Sequence, residues 1–285
     1  MKDSKTIART AAFALLALIG AASPGGARAQ EADEGSIELV DPHVLRACVD
    51  PRNLPFSNQA GEGFENKIAE LLAHKLGKSV ASTYYPGATG FIRNTLNAHR
   101  CDVVMGIAQG DDFVQPSNPY YRTAYAAVFR KGGTLEGLES LSDPRLKSAK
   151  IGIVAGTPPV TYLASEGLLG QIKSYPLVVD TRYDSSSQAM MEDLDKGEID
   201  VALLWGPIAG FYALRAREPL AVEPLLKEQS GPKMIYRIVM GVRRADQNWK
   251  RSLNKAIAES QGEIDAILRS YGVPLLDESD KPLAR

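Results

Sequence analysis

The chain has 285 residues, of which 44% are hydrophobic and 24% charged, and its formal net charge is −1. That length suits two domains better than one small core, and the composition excludes a disordered chain. The near-balance of charge, with no basic stripe, argues against nucleic acid as a partner.

The first residues differ from the rest. Lys2, Lys5 and Arg9 precede an apolar run, Ala11 to Ala22, that is short for a bilayer, and Ala27-Arg28-Ala29 offers a small-x-small cleavage site. This is the layout of a signal peptide over residues 1–29, with an uncleaved anchor as the alternative. Cleavage removes four cations and Asp3, a net of +3, taking the charge from −1 to −4. No later run reaches membrane length, so no membrane contact is expected after cleavage.

Residues 30–42 are acidic and aperiodic, a flexible lead-in. Strands and helices then alternate. Leu45 to Val49 reads as a strand, Asn66 to Leu76 as a helix stopped by Gly77, and Val80 to Tyr85 as a strand. Phe91 to Ala98 reads as a short helix and Asp102 to Ile107 as a buried strand. After the long strand Tyr120 to Phe129 the pattern repeats. Strands are expected at Ile151 to Val154, Leu177 to Val179 and Val201 to Trp205. Helices are expected at Pro158 to Glu166, Ser185 to Lys196 and about Ile208 to Arg217. A strand at Ile235 to Val242 and two helices within Asp246 to Tyr271, broken near Gly262, complete the chain.

This order predicts an α/β protein of two lobes, each a mostly parallel sheet flanked by helices. The crossings, near Val128 to Gly132 and Tyr236 to Arg243, predict a two-strand hinge. Lobe 1 is residues 43–130 plus 237–285, and lobe 2 is 131–236. Ligands of such sheets sit in the cleft at the strands' carboxyl ends.

Cys48 and Cys101 each fall in a strand. In an oxidising compartment two cysteines usually pair, and two buried thiols are the alternative. His43, His74 and His99 lie in separate segments, and no metal site is expected. No nucleophile triad or phosphate loop is recognisable, so the chain is not expected to be an enzyme.

The segments FENKIAELLAHKLG, FIRNTLNAHRCDVVMG, NPYYRTAYAAVFRKG, IGIVAGTPP and LDKGEIDVALLWGP together resemble, in order, the type II periplasmic solute-binding proteins of the amino-acid-binding kind. The resemblance covers about residues 43–275 and implies a periplasmic protein. It also shows a departure. Members usually carry an arginine for the ligand carboxylate ahead of the Ser-x-Pro-Tyr stretch, where this chain reads Gln109-Gly110-Asp111-Asp112-Phe113-Val114-Gln115-Pro116. Where they place an aspartate for the ligand ammonium, this chain has Trp205. Of the acidic pattern after Gly-Phe, Glu65 remains. An amino acid here would leave its carboxylate desolvated and unpaired, at several kcal/mol.

The wording CVDPRNLPFSNQAGEGFENKIAELLAHKLG, followed by GFIRNTLNAHRCDVVMG and PYYRTAY, is similar to the quinoprotein-dehydrogenase-associated branch, the MxaJ and XoxJ accessory proteins of PQQ-dependent methanol dehydrogenases. The resemblance implies a monomeric accessory that docks on such an alcohol dehydrogenase, with its cytochrome c as a further candidate partner, and aids its activation or maturation. The partner, lanthanide-type by preference, would carry PQQ and calcium or a lanthanide; no cofactor is expected on this chain. The alternative is a transporter subunit for a small solute that is not zwitterionic.

Candidate contact residues follow. Asn53, Leu54, Pro55, Phe56, Ser57 and Asn58 form a loop after the first strand, either a cleft rim or a turn anchored by Leu54 and Phe56. Phe91, Arg93 and Asn94 open a helix, where Arg93 can meet a carboxylate or stay solvated. Thr157, before Pro158, can hold an anion or merely cap its helix. Trp205 faces the cleft or the core, and Glu65 is the one candidate acid. Tyr120, Tyr121, Tyr125 and Tyr236 are read as hinge packing.

Overall fold

The alternation of apolar residues with both faces covered sets the architecture, seen in a computed structural model that describes residues 38–228 and 230–283. In the first half of the chain, strands Val44–Val49 (β1), Arg52–Asn53 (β2) and Ser57–Asn58 (β3) lead into helix Phe64–Lys75 (α1). Ser79–Tyr84 (β4), the short helix Phe91–Asn94 (α2), Val103–Ala108 (β5), Gln115–Pro116 (β6) and the long Tyr121–Arg130 (β7) follow. The second half runs Ile151–Val154 (β8), Pro158–Ser165 (α3), Ile172–Tyr175 (β9), Ser186–Lys196 (α4), Val201–Trp205 (β10), Gly206–Ala213 (α5) and Leu220–Pro224 (β11). It closes with Ile235–Val242 (β12), Gln247–Glu259 (α6) and Gln261–Ser270 (α7).

The main strand order is β4-β1-β5-β12-β7-β10-β8-β9. β4, β1 and β5 are parallel, as are β10, β8 and β9; β12 and β7 run antiparallel to their neighbours and carry the chain between the halves. β7 serves both halves. Its residues up to Ala124 pair with β12, and from Tyr125 onward it pairs with β10. The changeover thus falls at Ala124–Tyr125, several residues before the expected 130/131 boundary. No glycine or proline marks it, because the strand never breaks.

Both faces of the second half are buried. Ala127 and Phe129 of β7, with Val201 and Leu203 of β10, enter one core; Ala126, Val128, Ala202 and Leu204 enter the other. A strand covered on both sides needs apolar residues at every position, which is why these segments read as continuous runs. In the first half, Phe64, Ile68 and Leu72 of α1 pack with Trp249 and Leu253 of α6 and Leu268 of α7. Full burial of each such side chain contributes on the order of 2 kcal/mol.

Several expectations shift. The strand expected at Leu177 to Val179 lies earlier, at β9, where Ile172 pairs with Ile151; Leu177 and Val178 are exposed loop. Apolar residues without an alternating partner mimicked a strand. α2 is one turn, not eight residues, because Thr95 leaves helical geometry (φ −119°, ψ −80°). The break between α6 and α7 falls at Ser260, with Gly262 inside α7. β11 carried no recognised signal. The expected signal peptide and most of the lead-in lie outside the described residues, among which no helix is long and apolar enough to cross a membrane.

Cys48 and Cys101 form a disulfide with Cα atoms 5.5 Å apart. Beside it the buried Arg243 donates to the Cys101 carbonyl at 2.6 Å and to Asp102 Oδ1 at 2.9 Å, and pairs with Asp246 at 2.7 Å. At the start of α1, Asn66 Oδ1 accepts the N–H groups of Gly63 and Asn58, each at 3.1 Å. Asn66→Ala frees two donors, the Gly63 N–H buried and the Asn58 N–H partly so, and is expected to cost about 1–2 kcal/mol, read from the urea midpoint.

Candidate functional site

The carboxyl ends of β1, β5, β8 and β10 meet the hinge strands around a cleft of about 660 Å³. Its wall is aromatic because of the strand switch described above. Tyr125 of β7 stands opposite Trp205 of β10 in the ladder, and Tyr236 of β12 is one strand away on the other side. The three rings pack edge to face, with centroids 5.2 Å (Tyr125–Trp205), 5.5 Å (Trp205–Tyr236) and 6.4 Å (Tyr125–Tyr236) apart. Such arrangements set the positive ring edge on the negative face. Tyr121, four residues before Tyr125, and Tyr212 of α5 also line the cleft.

Gly206 allows this wall to close. A Cβ there would stand 2.4 Å from the Ala124 carbonyl oxygen, so only glycine lets α5 leave β10 so near to β7.

Burial sets the protonation of the wall. It pushes Tyr125 up to about 12, helped by the Tyr236 phenol, and raises Tyr236 as well. Tyr121 rises well above the ordinary phenol range through burial and then the Glu65 charge. All three therefore stay neutral donors near pH 7.

The expected site residues separate into three groups. Asn53, Leu54, Phe56, Thr157 and Trp205 all line the cleft. Leu54 is half-exposed, whereas Phe56 packs on Phe64 at 5.2 Å. Trp205 lines the cleft and is half-buried, packing against the edge of the lobe-1 core. A second group works inside the loop. Pro55 is buried and its carbonyl accepts from Phe64 N–H; Ser57 donates to the Asp50 carbonyl; Asn58 ties to Glu62. The third group lies off the cleft lining. Phe91 packs at the disulfide and against Tyr85, Asn94 donates to the Tyr85 hydroxyl, and Arg93 is exposed.

Thr157 does not cap α3 with its side chain. It takes the N-cap position, but its hydroxyl donates to the Val154 carbonyl at 2.6 Å. Pro158 and Pro159 bring no N–H, and the Val160 N–H is bound to the Thr157 carbonyl. The hydroxyl of Thr157 and the N–H of Val160 are thus both engaged within the turn.

Glu65 lies buried at 7% exposure, its Oε1 against Gly106 of β5. Gly106 is left-handed (φ +70°), and a Cβ there would stand 2.2 Å from that oxygen, so glycine is needed twice over. Burial first, and Asp50 second, push the carboxyl up to about 8, so it is neutral near pH 7. The charged residues that line the cleft are Arg52 and Asp184, both exposed.

Sequence reasoning missed Tyr121, Tyr125 and Tyr236 as lining residues. The Tyr-x-x-x-Tyr spacing in a strand puts Tyr121 and Tyr125 on one face, which was the available signal. Tyr120 is different: it sits in the lobe-1 core with its hydroxyl accepting from Gly106 N–H.

A cleft between two α/β halves, joined by two hinge strands and lined at the strand ends, defines a periplasmic binding protein of type II. Residues 45–274 match the family of bacterial extracellular solute-binding proteins, family 3, and the chain belongs to that family, in its MoxJ/XoxJ branch. It is 42% identical to the periplasmic binding protein XoxJ from Methylobacterium extorquens AM1, at a TM-score of 0.70 over 82% of this chain and 100% of that one. Protein MoxJ from Methylorubrum extorquens is 30% identical, covering 97% of this chain and 96% of that protein. MxaJ from Methlophaga aminisulfidivorans MPT is 26% identical, with a TM-score of 0.70 over 81% of this chain and 100% of that chain.

Proposed function

We propose that this protein is a periplasmic accessory that docks on a PQQ-dependent methanol or alcohol dehydrogenase and supports its activation or maturation. A lanthanide-type enzyme is the first partner to test. PQQ and the metal belong to that enzyme in this reading. The observation that carries it is a solute-binding cleft without the charges that hold an amino acid: no arginine faces its walls from the Gln109–Pro116 segment, Trp205 stands where an ammonium-binding aspartate is expected, and the charged lining residues, Arg52 and Asp184, are both exposed. Likeness to the MoxJ, XoxJ and MxaJ proteins supports the same reading.

The apolar rim supplies a docking surface. Leu177 and Val178, at 61% and 86% exposure, stand beside the cleft with Tyr183 at 80%. Exposed aliphatic and aromatic groups grouped in one loop are a common mark of an interaction site.

The test is co-purification of the periplasmic dehydrogenase with this protein, alongside dehydrogenase activity with and without it. Val178→Asp is expected to weaken capture roughly tenfold or more, since a buried interface side chain contributes upward of 1.4 kcal/mol. No capture and no change in activity, with the wild-type protein folded, would sink the proposal.

A further inference from the structure

The cleft interior carries hydrogen-bond donors that the fold leaves unused. The phenols of Tyr121, Tyr125 and Tyr236 and the indole N–H of Trp205 all belong to residues that line the cleft, and none has a hydrogen-bond partner among the described residues. Tyr121 is only 6% exposed and packs in the lobe-1 core while lining the cleft. Four such groups around one cavity call for a ligand, and the ligand must bring acceptor oxygen.

Charge restricts that ligand further. The charged residues of the lining, Arg52 and Asp184, are both exposed, where water screens them, and the Thr157 hydroxyl is already committed to Val154. The buried acid Glu65 packs on Gly106 and is kept neutral by burial, which leaves the exposed Asp184 as the one carboxylate among the described lining residues. Ring surface dominates the wall, and aromatic faces favour offset or edge contacts with another ring. A cleft of about 660 Å³ lies within the range of small-molecule sites.

A polypeptide fits less well. Every residue of it brings an N–H and a C=O that must be paired. The strands flanking the aromatic wall have no free edge: β10 lies between β7 and β8, and β12 between β5 and β7. An inserted chain has no ladder to join.

We propose that the cleft binds an uncharged aromatic compound bearing a carbonyl oxygen, its ring against Trp205 and its oxygen among the hydroxyls of Tyr125 and Tyr236. This goes beyond the accessory role, which draws on the same lining; capture of the dehydrogenase tests that role, and titration with a small aromatic compound tests this one.

The experiment is calorimetric titration of the purified chain with benzamide as the probe. Benzoate, cyclohexanecarboxamide and glutamine are run beside it. Benzamide is expected to bind one-to-one, at least tenfold tighter than benzoate, which adds a charge, and than cyclohexanecarboxamide, which lacks the ring. Glutamine is expected not to bind. Trp205→Ala should abolish benzamide binding, and Tyr236→Phe, which keeps the ring and removes the donor, should weaken it several-fold with the melting temperature unchanged. Should Trp205→Ala fail to fold, the Tyr236→Phe comparison decides alone. Absence of benzamide binding at millimolar concentration overturns the proposal. So does equal affinity for benzoate, or tighter binding of glutamine. Capture of an unstructured peptide with no binding of benzamide would overturn it in favour of a polypeptide occupant.

Discussion

Glu65→Gln is expected to make the protein more stable than the wild type at neutral and alkaline pH, by up to roughly 5 kcal/mol above pH 8. The cause is the buried carboxyl beneath Gly106. In the folded chain it holds its proton up to about pH 8, whereas an exposed glutamate loses it near its ordinary value of 4.5. A raised carboxyl makes its contribution in full below about pH 4.5. That contribution declines as the pH rises through the window to about 8, because the unfolded chain releases a proton that the folded chain retains. Glutamine has no proton to lose, so the variant should lack this decline. The groups that face Glu65 are Asp50, Tyr120 and Tyr121, and the first of these reinforces the effect by repulsion. Urea midpoints for both proteins at pH 4, 6, 7 and 9 measure the gap. It should open above about 4.5 and level off past 8; parallel pH curves would show that Glu65 is ionised in the fold.

Removing the disulfide by the double change Cys48→Ala and Cys101→Ala is expected to cost about 4 kcal/mol, the chain-entropy value for a loop of this size. The two cysteines are 53 residues apart, and the link joins β1 to the segment entering β5. Both are buried, Cys101 completely, so the alanines also leave a little empty volume beside Leu96 and Val104. The melting temperature should fall on the order of 10 °C. Arg243 limits the damage: it still grips the Cys101 and Leu96 carbonyls and Asp102 from the far end of the chain. Calorimetry of the oxidised wild type against the double variant gives the difference. A change below about 1 kcal/mol would mean that the buried Arg243 cluster alone holds this corner together.

The sequence by itself determined the two-lobed α/β plan, since alternating strand and helix periods with a repeat after Arg130 allow few other arrangements. It also determined that the amino-acid anchors are missing, because arginine and aspartate are legible as letters wherever they fall. The rim loop was partly legible: Leu54 and Phe56 reach the cleft, while Pro55, Ser57 and Asn58 turn inward to close the loop on α1. Other features depended on distance. Thr157 looked like a cap, yet its hydroxyl found the nearer Val154 carbonyl; Leu177 to Val179 looked like a strand, yet β8 was already paired with β9. Only the tertiary structure decided the site. Tyr125, Trp205 and Tyr236 are far apart in the chain and belong to three different strands, and nothing in their local sequence brings them together. They meet because one unbroken strand, β7, pairs with β12 up to Ala124 and with β10 from Tyr125 onward. Glu65 likewise became a neutral acid through burial against Gly106, and burial is a property of the packed whole that no run of letters carries.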